Sequence, residues 1–194
     1  MFTIGMGAPV SASTTTLGQL GSSNACGAAN VDWVQSGVGS GTSYTVPAGN
    51  WNVTSWSTQA GGGGSSVAAD LQLEIWRPTG TTDQFQLVGI SPVGTTGTTG
   101  TSTFDLATPI AVQGGDLLGL RVLTAGYYCV NFLSGSAVNN GGGSAPVPGD
   151  VKTLGVAGQY VLNVAASLDE VLPPVPPTPP VAAPAVVAAP AFTG

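Results

Sequence analysis

Asp70-Leu71-Gln72-Leu73-Glu74-Ile75-Trp76 is the stretch that decides the fold class. Leu71, Leu73 and Ile75 recur at every second position, with Asp70, Gln72 and Glu74 between them, which is the period of a strand with one apolar and one polar face. The pattern predicts that the first set enters a core and the second meets water. The same alternation returns at 117–123 (LLGLRVL), where Leu118, Leu120 and Val122 oppose Leu117, Gly119 and Arg121. Gly114-Gly115-Asp116 ahead of it and Pro47-Ala48-Gly49-Asn50 upstream are turn sequences, since Gly tolerates positive φ and Pro presets its own.

Working outward, short apolar and β-branched runs at 31–38, 43–46, 52–58, 71–77, 85–90, 102–104, 117–123, 128–132 and 160–165 alternate with Gly, Pro, Asn and Ser clusters. None carries a helical stripe. About nine short strands predict an all-β fold, a two-sheet antiparallel β-sandwich of jelly-roll type. Residues 61–66 (GGGGSS), 95–101 (TTGTTGT) and 139–144 (NNGGGS) are expected to be loops, because their backbone entropy is costly to fix. Residues 171–194 (VLPPVPPTPPVAAPAVVAAPAFTG) are rich in Pro, Ala and Val and predict an extended spacer with no core of its own. Residues 1–13 (MFTIGMGAPVSAS) look like the end of a clipped signal peptide or a flexible arm. The expected organisation is an arm over 1–13, a sandwich domain over 14–170 and a tail over 171–194.

The chain has 194 residues, of which 6% are charged, with three Lys and Arg against nine Asp and Glu and no histidine. Hydroxyls and amides must supply its solubility. Three cations cannot form the cluster that neutralises phosphates, so nucleic acid and anionic membrane surfaces are not expected partners. No apolar run approaches the roughly 20 residues that span a bilayer, so membrane insertion is not expected. The two cysteines, Cys26 and Cys129, lack the close spacing of a zinc site or redox motif. They are read as a disulfide, which implies an oxidising compartment and hence a secreted or cell-surface protein. The alternative is a pair of buried free thiols.

For chemistry, the absence of histidine removes the usual triads. A Ser/Lys dyad could use only Lys152, which sits beside Asp150 in a Gly/Pro turn and is expected to be a solvated ammonium. Asp70 and Glu74 share a strand face but lie about 13 Å apart along it, beyond the roughly 5 to 9.5 Å that glycoside hydrolysis uses. Cross-strand pairing with Asp83, Asp105 or Asp116 stays open, as does a weak calcium site built on one of them. Gly61 to Gly64 lack the following Lys and helix of a phosphate loop. Asn52-Val53-Thr54 matches a short and common sequon. Neither a cofactor nor a metal is expected.

Tryptophan carries the binding signal. Trp33, Trp51, Trp56 and Trp76 lie on or beside predicted strands, and Trp51 and Trp56, with amide and hydroxyl neighbours, are the candidates for an exposed platform that stacks on sugar rings. Core packing is the competing reading for all four, because large aromatics fill sandwich interiors. The Tyr127-Tyr128 pair should place one ring inward and the other outward.

Taken in order, TTTLGQL at 14–20, Cys26-Gly27, VQSGVGSGTSYTVPAG at 34–49, VTSWSTQAG at 53–61, LEIWRPTG at 73–80, GGDLLGL at 114–120, Cys129 and LNVAASLDE at 162–170 carry a resemblance. In segment order the chain resembles a β-sandwich module recurrent in secreted proteins of actinobacteria and related soil bacteria. The resemblance implies the fold and an extracellular setting, and brings no enzymatic activity with it. Such proteins often continue into acidic calcium-binding repeats, whereas this chain departs into its Pro/Ala tail, which removes the support for calcium. The expectation is therefore a non-enzymatic extracellular structural or interaction module that offers loops or an edge strand to a protein partner. Glycan binding and self-association into a surface filament or coat are the alternatives.

Overall fold

The structure, a computed structural model, describes residues 12–21, 24–60 and 67–174. Most of the expected arm, the 61–66 loop and most of the Pro/Ala tail lie outside the described residues. Every regular element within them is a strand. In chain order these are β1 (Thr14–Gln19), β2 (Asn24–Ala25), β3 (Val31–Gly37), β4 (Asn50–Ala60), β5 (Asp70–Pro78), β6 (Gln84–Ile90), β7 (Gly94–Thr95) and β8 (Gly100–Gln113). They continue with β9 (Leu117–Val122), β10 (Tyr128–Phe132), β11 (Ala137–Gly142), β12 (Val151–Thr153), β13 (Gly155–Gly158), β14 (Tyr160–Leu162) and β15 (Val164–Glu170).

The fold is the expected all-β sandwich. One sheet runs β1-β15-β4-β8, a second β14-β10-β2, and the large one β12-β6-β5-β9-β3-β11-β13 with β7 added against β5. Ladders between these strands are antiparallel, as in the β5–β9 register of Leu71 with Val122 and Trp76 with Leu117. Leu71, Leu73 and Ile75 of β5 and Leu118, Leu120 and Val122 of β9 face Val53 and Trp56 of β4 and Val164, Ala166 and Leu168 of β15 across one buried core. The Cys26–Cys129 disulfide is formed, with Cα atoms 5.5 Å apart, and ties the end of β2 to β10.

Four expectations need correction. Thr95, Gly100 and Thr101, expected as loop, belong to β7 and β8. Residues 43–46 pair only through an isolated bridge from Thr45 to Leu117. Residues 139–142, expected as loop, belong to β11, whose ladder bonds come from β3 and β13 on either side. Glu74, expected in water, is fully buried.

The last correction has a topological cause. β12 pairs with β6 and β13 with β11, at opposite ends of the large sheet, and Leu154 alone separates them in sequence. One short segment thus draws the two ends together and curls the sheet towards a barrel. The face turned away from the sandwich core is enclosed and holds a second core of Val34, Trp76, Phe85, Leu87, Leu117 and Leu154. A strand such as β5 is then dry on both faces, although its sequence alternates.

Candidate functional site

Trp51 and Trp56 do not form a ligand platform, because both rings are buried, at 6% and 1% exposure. The reason is a β-bulge. The two tryptophans are five residues apart, so strict alternation would put them on opposite faces, but the register of β4 shifts between Val53 and Ser55. An extra residue in one strand resets the alternation, and both indoles point into the core. Trp51 donates from Nε1 to the Pro47 and Ala48 carbonyls at 3.1 and 3.3 Å. Trp56 packs on Phe104 with ring centroids 4.4 Å apart. Tyr127 is buried and Tyr128 half-buried.

The candidate carboxylates are not brought together. Asp116 is buried and receives a bidentate pair from Arg77, Nε to Oδ1 at 2.7 Å and Nη2 to Oδ2 at 2.9 Å, plus the Gln113 backbone N–H. This arrangement locks the turn before β9. Asp83 accepts from Asn139 Nδ2 at 2.8 Å, and Asp105 sits exposed on β8. Among the described residues no three Asp, Glu, His or Cys side chains are grouped as metal ligands would be.

Burial has instead assembled a cluster that sequence reasoning missed, inside the curled sheet. Asp32 on β3 and Arg121 on β9 are cross-strand partners, and both side chains are buried, with Arg121 Nη1 donating to Asp32 Oδ1. Lys152 on β12, far from being a solvated ammonium, reaches in to Asp32 Oδ2 at 2.5 Å and to the Ser144 carbonyl at 2.9 Å. Glu74 on β5 accepts from Trp76 Nε1 at 3.0 Å through Oε2. Among the described residues nothing donates to its Oε1. Burial first, and then the adjacent Asp32 charge, hold the Glu74 carboxyl well above the usual carboxylate range, against the opposing pull of the Trp76 bond and Arg121. The Glu74 carboxyl lies close enough to Asp32 for the Asp32 charge to oppose its ionisation. Two sequence signals point to this cluster: an Arg inside the apolar run LLGLRV, and an Asp flanked by Val31 and Trp33 in a chain with so few charges.

All three cations of the chain are thus spent on internal carboxylates: Arg77 on Asp116, Arg121 and Lys152 on Asp32. Asp70, Asp83, Asp105, Asp150, Asp169 and Glu170 have no such ion pair among the described residues. The accessible charge of the domain is therefore negative.

Two surface features remain. A cleft of about 450 Å³ is lined by Asn24, Trp33, Val130, Asn140, Ala157 and Tyr160, among others, and the indole N–H of buried Trp33 has no acceptor among the described residues. The other is β8, which among the described residues pairs with β4 alone and forms one end of its sheet. Comparison with protein-family models, curated proteins and solved structures yields no match to this chain. No helix of the described residues is long and apolar enough to cross a membrane.

Proposed function

We propose that this chain is a non-catalytic structural or interaction module of the extracellular space that associates through the free edge of β8. The observation that carries this reading is the edge itself. β8 is 14 residues long, the longest strand among the described residues, whereas the strands at the other sheet ends have two to six. An unpaired strand edge is a template for another strand, and proteins that avoid such pairing protect it with Lys, Pro or short length. β8 has no Lys; its interruptions in GTSTFDLATPIAVQ are Asp105, Pro109 and a register break against β4 across residues 106–109. The disulfide supports the oxidising compartment, and the domain's negative accessible charge argues against polyanionic partners.

The partner strand in this reading is the same edge of a second copy. Light scattering over a rising concentration series should show association of the natural protein and monomers for Thr101→Lys/Thr103→Lys, whose outward-facing charges repel across the paired edges. A natural protein that stays monomeric throughout would reject self-docking by β8. Thiol alkylation of protein recovered from culture medium should label nothing until a reductant is added; labelling of both cysteines without reductant removes the extracellular premise.

The cleft beside Trp33 favours a second reading, glycan binding, since amide side chains of Asn24 and Asn140 flank the aromatic Tyr160 there. Tyr160→Ala and Asn140→Ala should each abolish glycan-array signals; signals unchanged in both would end this reading.

A further inference from the structure

Lys152 and Asp32 lie 120 residues apart in sequence, yet the curling of the large sheet sets Nζ 2.5 Å from Oδ2. Asp32 and Glu74 are fully buried there and the Lys152 side chain is 21% exposed. Arg121 Nη1 grips the other oxygen of Asp32, and the buried Glu74 carboxyl, whose Oε1 has no hydrogen-bond partner among the described residues, lies near enough to feel the Asp32 charge. An amine, a carboxyl carbon, a second buried carboxyl and a fixed cation therefore converge where water is scarce. Holding reacting groups together in this way replaces the entropy of an encounter, and donors fixed on a developing oxyanion are the strongest electrostatic aid to acyl chemistry. We propose that Lys152 and Asp32 condense into an intramolecular isopeptide bond, with Glu74 as the proton-transfer group and Arg121 as the oxyanion donor.

The step balances without any co-reactant. The Lys152 ammonium passes one proton to Asp32 Oδ2, along the hydrogen bond already present, leaving a neutral amine beside a carboxylic acid. Nζ then attacks Cγ, and the carbonyl electron pair moves onto Oδ1, where Arg121 donates. Glu74 gives its proton to Oδ2, the Cγ–Oδ2 bond breaks and water departs through the partly open Lys152 side. The Glu74 carboxylate recovers a proton from the new amide nitrogen. Ammonium plus carboxylate become amide plus water, nothing is oxidised or reduced, and Glu74 ends as it began.

Glu74 is suited to this role because its burial, the first cause of its raised pKa, favours the proton-carrying form beside a group that must be protonated to leave. The product would replace a pair of buried charges, which stabilise little once their desolvation is counted, with a covalent link from β3 to β12.

Intact mass of the full chain, after reduction and alkylation of the cysteines, tests the proposal. The natural protein should weigh less than its sequence by one water, and a digest should contain a branched peptide joining the Asp32 and Lys152 segments. Lys152→Arg, which keeps the positive charge, and Glu74→Gln, which keeps the shape, should both show the full sequence mass. A natural protein of full mass, or a water loss located elsewhere in the digest, overturns the bond. Water loss in Glu74→Gln equal to that of the natural protein overturns the role given to Glu74.

Discussion

A β-carbon added at Gly119 would lie 2.4 Å from the Trp33 carbonyl oxygen and 2.7 Å from Trp76 Cδ1. The indole of Trp76 lies over this glycine, filling the space a side chain would take on the enclosed face of β9. Gly119→Ala should therefore cost at least about 1 to 3 kcal/mol, the usual penalty of overpacking, because one of the two clashes is with backbone. A urea midpoint measured against the natural protein checks it. Tyr44 makes a second prediction. Its hydroxyl donates to the Leu162 carbonyl and accepts from the Gln19 N–H at 3.2 Å. Burial pushes its phenol far up, only partly offset by the Gln19 bond. A folded pKa above the unfolded one gives stability that is complete below about pH 10 and is lost as pH climbs towards the folded value. Tyr127, raised by burial against its Thr58 bond, contributes in the same sense. Tyr44→Phe should lose about 1 to 3 kcal/mol at neutral pH, since a buried carbonyl forfeits its donor, yet show a shallower alkaline decline. Urea midpoints taken at rising pH read both. At this scale Leu71, Leu73 and Ile75 were legible as core from their spacing alone. Glu74 was not, because alternation reports which residues share a face and says nothing about what covers it.

β4 is where periodicity failed as an element. Its text, NWNVTSWSTQA, reads as one strand, but nothing in Val53-Thr54-Ser55 announces that the register slips there. The bulge depends on the neighbouring strands, since the β4–β15 ladder also shifts, between Ser167 and Leu168. Deleting Thr54 should restore plain alternation and turn either Trp51 or Trp56 outward. The expected result is a red shift in tryptophan fluorescence and a loss of more than about 3 kcal/mol, the scale of exposing a core aromatic. Unchanged emission would contradict the assigned register. β11 failed for the opposite reason. AVNNGG has the composition of a loop, and it becomes a strand because β3 and β13 both bond it and leave its small residues room; a β-carbon on Gly141 would press within 2.9 Å of Leu154. Long-range pairing overrides weak intrinsic strand preference.

The whole molecule depends on two long-range closures, one by Leu154 and its flanking strands and one by the disulfide. The second was legible by elimination, since two distant cysteines had no other chemistry to serve. The first was not, because β12 and β13 are too short for sequence to reveal which partners they choose. Cys26 and Cys129 are 103 residues apart, and a loop of that size is expected to contribute about 4 to 5 kcal/mol through the unfolded chain. Cys26→Ser/Cys129→Ser should lower the unfolding free energy by that order, and reduction of the natural protein should match it in urea titrations. The candidate chemistry was illegible for the same reason as the curl: Asp32, Arg121 and Glu74 meet through the pairing of β3, β9 and β5, which no one strand announces, and only the rolled sheet brings Lys152 to them.

The pairing of β1 with β15 sets Thr14 opposite Asp169, with Ser13 bonded to the Glu170 carboxylate. Tension applied at residues 14 and 169 would thus enter at one corner and peel the two strands apart a rung at a time. Peeling should demand far less force than sliding whole strands past each other. Once it reached Cys26, the load would pass through sulfur to Cys129, and the intervening stretch, with β4, β5 and β9 inside it, would bear none. Under pulling, this domain should yield early, lengthen a little and then hold.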